Sequence, residues 1–195
     1  MSADSSGSPT AQYPNAVETH RIVLRGARVV DAPALAREAN DFEVYAGLQD
    51  HFPHPYTVDD GLRFIELMQG QTGPRRQFVI EVDGEPAGIA GLFPQTGIYR
   101  HNAELGYWIG RRFWGRGIMT EVVARLVELA WERFPVDRLY ARVFGSNIGS
   151  IRVLQKAGFE VESRTPGIVV KNGQRLDEVT LALRRDRAAA ERVGP

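Results

Sequence analysis

The sequence predicts a mixed α+β domain, and three observations carry that reading. Apolar residues switch between a period of two and a helical period in the order strand, two helices, three strands, helix, strand, helix, strands, which is not a repeating βα ladder. Two hairpin signals, Asp83-Gly84 and Asn172-Gly173, join alternating segments. A glycine loop, Arg112-Phe113-Trp114-Gly115-Arg116-Gly117, stands between an apolar strand and the most periodic helix of the chain. The 195 residues, 43% of them hydrophobic, suit one domain with a sizeable core.

The first strand is Ile22–Arg25. Ala32 to Asp41 carries helix formers behind Pro33, placed in a first turn. Thr57 opens a second helix, with Thr57 or Asp59 as its cap and Leu62, Ile65, Leu67 and Met68 on one face. His51–Tyr56 between them is a loop, because each proline keeps its predecessor out of helical conformation. Phe78–Val82 and Ala87–Phe93 form a hairpin, and Ala103–Ile109 is a third strand leading into the glycine loop. Met119, Val122, Val123, Leu126, Ala130 and Phe134 share one face of a helix from about Ile118 to Arg133, stopped by Pro135. Leu139–Val143 is the next strand. Asn147 then caps a short helix with Ile148, Ile151 and Leu154 inward, closed by Gly158. Strands follow at Phe159–Ser163, Ile168–Lys171 and Leu176–Leu183.

Composition excludes several classes. With 24 basic against 24 acidic residues the net charge is zero, so the reading is of neither a general nucleic-acid binder nor a membrane-surface binder. No cysteine is present, which removes disulfides, thiolate metal sites and a Cys nucleophile and fits a cytoplasmic address. No apolar run reaches the length of a membrane span. His51, His54 and His101 form no metal set, so no metal is expected. Residues 1–16, rich in Ser, Pro, Gly and Ala, read as a flexible tail, 17–184 as the domain, and 185–195 as a charged, Ala-rich tail.

The glycine loop carries the chemistry. Two glycines one residue apart let the backbone approach a ligand, and the N–H groups opening the next helix form an anion site at the positive end of its dipole. Arg111, Arg112 and Arg116 add charge around it. A P-loop needs Lys after the second glycine, and Ile118 stands there; a Rossmann loop needs a third glycine at position 120, which is Thr120.

Arg112-x-x-Gly115-x-Gly117 fits in full the Arg/Gln-x-x-Gly-x-Gly/Ala pattern, and Asn147-Ile148-Gly149-Ser150 through Lys156-Ala157-Gly158-Phe159 fits an Asn-x-x-Ser/Ala…Lys-x-Gly-Phe signature. In both segments the chain resembles the GCN5-related N-acetyltransferase (GNAT) superfamily. Asn40-Asp41, Pro53-His54-Pro55-Tyr56 and Glu104–Ile109 resemble its RimJ/RimL-type branch. The resemblance spans about residues 17 to 184 and is strongest from 103 to 159. It implies a central, mostly antiparallel sheet of about six to seven strands with a splayed parallel pair, Glu104–Ile109 beside Leu139–Val143, flanked by about four helices.

The resemblance also implies acetyl-CoA as cosubstrate and an amine-bearing acceptor, a peptide N-terminus or a small molecule, with a homodimer as a common assembly. The pantetheine arm is expected against the backbone of Trp108, Ile109 and Gly110, as an added strand. The pyrophosphate is expected on the N–H groups from about Phe113 to Ile118, within a cofactor-binding set of Arg112, Phe113, Trp114, Gly115, Arg116, Gly117, Ile118 and Met119. Asn147 is expected to cap its helix, to bond the pantetheine arm, or both. Glu104, on the strand bordering the thioester, is the candidate base that takes the amine proton, directly or through a water; its alternative is a solvated or ion-paired strand residue. An N–H near Ile109 is the candidate oxyanion donor. Ser150 is the candidate proton donor to the departing thiolate, since Leu154 stands where many relatives carry Tyr; Tyr107 and Tyr140 are alternatives. His51, Phe52, His54 and Tyr56 are expected at the acceptor mouth with the two early helices and the Ile168–Leu176 hairpin. A catalytically silent acyl-CoA-binding domain of the same fold is the competing reading.

Overall fold

The computed structural model describes residues 20–185, so the expected tails lie, apart from Arg185, outside the described residues. Seven strands form one sheet: β1 (Ile22–Arg25), β2 (Gln77–Val82), β3 (Glu85–Pro94), β4 (Asn102–Ile109), β5 (Arg138–Phe144), β6 (Glu160–Lys171) and β7 (Gln174–Arg184). Their order is β1-β2-β3-β4-β5-β7-β6, antiparallel throughout except for the β4–β5 pair. The helices are α1 (Ala32–Ala39), α2 (Phe42–Ala46), α3 (Val58–Gln69), α4 (Ile118–Arg133) and α5 (Ile148–Lys156). Among the described residues, no helix is long and apolar enough to cross a membrane.

Strand alternation divides the core between the two faces of the sheet. Phe78, Ile80, Ala103, Leu105 and Ile109 meet α4 and α5 on one face, where Val122, Val123, Leu126 and Leu154 are fully buried. Val79 and Ile89 face α1 and α3 through Leu35 and Ile65 on the other. The hairpin turns match their residues: Asp83 and Gly84 both have positive φ (51° and 90°), as do Asn172 and Gly173 (50° and 75°). These are the values a two-residue turn needs to follow the twist of its strands.

Several elements differ in detail from the sequence reading. The helix expected over 32–41 ends at Ala39, and Asp41 instead caps the unexpected α2, its Oδ1 accepting from the Glu43 N–H at 2.8 Å. The described residues thus hold five α-helices. In α3, Thr57 is the cap in a reciprocal box with Asp60, and of the four expected inward residues only Ile65 is fully buried, with Leu67 well exposed. Ile148 is half-exposed at the start of α5. The two strands expected at 159–163 and 168–171 are one strand, β6, whose register slips around Pro166-Gly167. As the outermost strand it accommodates a proline that an inner strand would reject.

Arg25 ties β1 to the start of α1. Its guanidinium donates to both oxygens of buried Asp31 (2.7 and 2.8 Å) and to Glu81 (2.5 Å), and the Arg28 N–H also reaches Asp31 (2.8 Å). Burial alone would raise the Asp31 carboxyl, but these donors outweigh it and hold it below the usual range. A depressed folded-state value makes this stabilisation complete above the unfolded carboxyl value of about 3.9, and it is lost as pH falls through the folded value. Asp31→Asn is therefore expected to lower stability near neutral pH by about 3 kcal/mol and to flatten its acid limb, as read by denaturant melts across pH.

Candidate active site

The parallel pair that joins the two halves of the sheet is short. β4 and β5 pair at Asn102↔Arg138, Ala103↔Leu139 and Glu104↔Tyr140, and no further. β4 then continues to Ile109 on β3, and β5 to Phe144 on β7, leaving a gap. The antiparallel register, with the Gly110 N–H on the Ala87 carbonyl (2.8 Å), turns the main-chain groups of Trp108 toward β3 and those of Tyr107 and Ile109 toward the gap. The Trp114 indole N–H donates to the Ile109 carbonyl (2.9 Å). The expected backbone set of Trp108, Ile109 and Gly110 is corrected accordingly. Tyr107 and the Ile109 N–H face the gap, while Trp108 and Gly110 are committed to β3.

The loop beyond β4 turns tightly and opens α4 with main-chain N–H groups exposed at its start. A 3-10 turn over Arg111–Phe113 uses the Phe113 and Trp114 N–H groups on the Gly110 and Arg111 carbonyls (3.0 Å each). Gly115 and Gly117 then take left-handed φ values of 74° and 77°, and a Cβ at either would meet nothing within 4 Å. Backbone conformation, not crowding, thus calls for glycine at both, and the space above them is open. Gly117 caps α4 without a side chain, and the N–H groups of Gly115, Gly117, Ile118 and Met119 find no acceptor among the described residues. The cradle expected from Phe113 to Ile118 therefore shifts to Gly115 through Met119. Phe113, Ile118 and Met119 bury their side chains in the core.

Arg112 is not at the cradle. Its Nε donates to both Glu38 oxygens (3.1 and 3.2 Å), its terminal nitrogen reaches Glu85 (2.5 Å), and the guanidinium lies 4.3 Å from the Phe113 ring centre. Glu38 is buried on α1 and packs so closely on the turn that a Cβ at Gly110 would lie 2.3 Å from its Oε2. Arg112 thus reads as a strut between loop and α1 rather than a phosphate ligand. In that case Glu38→Gln and Arg112→Gln each weaken coenzyme A binding by about 10-fold, and the double variant is no worse than either, as read by calorimetry. If Arg112 itself bound phosphate, freeing it by Glu38→Gln would leave affinity unchanged or higher.

The two faces of β4 carry different chemistry. Toward α5, the Tyr107 hydroxyl lies 2.8 Å from Ser150 Oγ, and burial pushes the phenol up to about 12. Asn147 caps α5 through the Ser150 N–H (3.0 Å). On the opposite face stand Glu104, Gly106 and Trp108. Arg142 donates to both Glu104 oxygens (3.0 and 3.1 Å), and the Tyr140 hydroxyl, raised by burial and then by this carboxylate, lies 3.5 Å away. Trp108 meets Phe52 edge-on at 5.6 Å, and Phe52 meets Tyr56 at 4.9 Å. Tyr56 is buried against Ala36 and Ala39, with its N–H on Asn40 (3.2 Å), so it backs the aromatic wall rather than lining the mouth as expected. His54 stacks on Tyr45 at 5.1 Å; His51 is exposed. The early segment and the β6–β7 hairpin meet: the Tyr45 hydroxyl donates to Asn172 (3.1 Å), and buried Lys171 reaches Asp50 (2.8 Å) and the Tyr45 ring (3.6 Å).

Glu38, Arg142 and Lys171 were not anticipated. Glu38 had a signal, a charge three residues after Leu35 on a helix face otherwise lined by alanine and leucine. Arg142 stood out only as an outward position in the alternation Leu139, Ala141, Val143.

The family model for the acetyltransferase (GNAT) domain matches residues 21–160. The chain is 27% identical over 173 residues to the uncharacterized N-acetyltransferase p20 of Bacillus licheniformis, spanning 85% of this chain and 93% of the relative. It is 28% identical over 162 residues to the L-amino acid N-acetyltransferase AaaT of Escherichia coli K12, spanning 83% and 96%. Among solved structures, Mycobacterium smegmatis RimJ in complex with CoA-disulfide shares the fold, with a TM-score of 0.74 at 24% identity over 89% of this chain and 84% of that one.

Proposed function

The chain belongs to the GNAT family of N-acetyltransferases, and from that we propose that it moves an acetyl group from acetyl-CoA to a primary amine by direct attack within a ternary complex. The observation that carries this is the gap opened beyond Glu104 and Tyr140, with gap-facing main chain from β4 along it and the Gly115–Met119 cradle at its end. An extended amide-bearing arm ending in a pyrophosphate suits both parts. The relatives' names and the fold shared with a CoA-bound structure support the same donor.

The amine nitrogen forms a bond to the thioester carbon and the carbon–sulfur bond breaks. The Ile109 N–H is turned into the gap, and we assign it as the donor to the developing oxyanion. Glu104 receives the amine proton, directly or through a water. The Tyr107–Ser150 hydroxyl pair supplies a proton to the departing sulfur. Base and acid thus sit on opposite faces of one strand, so the acceptor and the thiol end are served from different sides.

Thiol release measured with acetyl-CoA and a panel of peptides, amino acids, polyamines and aminoglycosides tests the reading. Release that requires an amine and yields the acetylated amine is the expected result. Coenzyme A binding with no turnover of any amine overturns it in favour of a silent acyl-CoA-binding domain.

A further inference from the structure

Resting on the reading of Glu104 as base, we propose that Arg142 determines acceptor specificity and that the acceptor is a small zwitterion, a primary amine with a carboxylate close by.

Arg142 lies on β5 two residues beyond the last parallel pair, on the face shared by Tyr140, Glu104 and Trp108, and reaches back along the gap to clasp Glu104 with two hydrogen bonds. Beside the pair, β4 brings no side chain of its own at Gly106. Gly106 is paired with Gly91, and the Phe93 ring edge runs over both, 3.3 and 3.5 Å from where their Cβ atoms would be. The Trp108–Phe52 wall stands further along the strand. The Arg142 side chain is 44% exposed and the Glu104 side chain 21%, so the pair is accessible from the side assigned to the acceptor.

Each Glu104 oxygen accepts one bond from Arg142 and keeps a second lone pair, so an amine that binds this carboxylate does so beside the guanidinium. A purely cationic acceptor sets a second positive charge against the guanidinium and gives it nothing in return. An acceptor bearing its own carboxylate places its ammonium on Glu104 and that carboxylate on guanidinium N–H groups that Glu104 does not use, the planar donor set suited to a carboxylate. Glu178, which pairs with Phe144 on β7, adds a further negative charge near Arg142.

The test compares free amino acids with their amides and the corresponding decarboxylated amines, for example leucine, leucinamide and 3-methylbutylamine, over several side chains at saturating acetyl-CoA. Wild-type kcat/KM is expected to favour the best amino acid over its amide by about 30-fold or more. Arg142→Gln should erase that ratio by lowering the amino acid while sparing or raising the amide, with an unchanged melting temperature and coenzyme A affinity. Equal or better use of amide, bare amine or a neutral peptide N-terminus by the wild type overturns the proposal, as does an equal loss for all three acceptors in Arg142→Gln. Undiminished coenzyme A binding with no turnover of any amine overturns the catalytic reading and this one with it, and is recognised by that pattern.

Discussion

Gly117→Glu is expected to weaken coenzyme A binding by at least 100-fold, to the point where calorimetry detects none. Three effects act together. At φ 77° a side chain strains the loop by about 1–2 kcal/mol. The strain falls on the residue whose N–H, with those of Gly115, Ile118 and Met119, makes the cradle. The added carboxylate also sits at the positive end of α4, where it competes with a pyrophosphate for the same donors and repels it. Gly117→Ala separates the contributions: it keeps the strain without the charge and should cost only about 10-fold. Because a Cβ at 117 meets nothing within 4 Å, both variants should fold. Undiminished affinity in a folded Gly117→Glu protein would remove the loop from the donor site.

Glu104→Gln carries the second large effect. It preserves the shape of the side chain and one contact to Arg142 but removes the proton acceptor, so kcat should fall about 100-fold or more near pH 6.5. The deficit should narrow as pH rises through the α-amino range of about 7.7–8.0, where the amine sheds its proton unaided. Coenzyme A affinity should not move, since Glu104 faces away from the cradle side of β4. A pH–rate profile parallel to the wild type would take Glu104 out of the proton path and leave it as the ion-paired strand residue of the alternative reading. Tyr107 offers a contrast: with its phenol pushed up to about 12, it stays protonated through the working range and adds no inflection there.

Much of the fold was legible because it depends on local chemistry. Asp83-Gly84 and Asn172-Gly173 specify their turns, the stripe from Met119 to Ala130 specifies α4, and Gly115 and Gly117 specify a backbone that few other residues adopt. The errors fall where a distant partner decides. Pro166-Gly167 reads as a break, yet an edge strand absorbs it as a bulge. Leu67, two residues after Ile65, lies roughly 200° from it around the helix and stays exposed. Arg112 carries the motif, but its use is set by Glu38, 74 residues earlier in the chain. The acceptor side was the least readable, because Glu104 and Arg142 are 38 residues apart and meet only through the register of a three-rung parallel pair. Nothing local to either residue announces the other.

The brevity of that parallel pair has a consequence for the protein as a physical object. The seven strands are in effect two smaller sheets, β1–β4 and β5–β7, joined by three residue pairs and by side-chain contacts that include Arg138–Asn102 at 3.0 Å and Arg142–Glu104 at 3.0 Å. The α4 crossover holds them side by side, while the main-chain edges beyond the hinge lack each other as partners. An extended arm lying in that gap, as we propose for the cosubstrate, meets both edges at once and is expected to raise the melting temperature as its concentration rises.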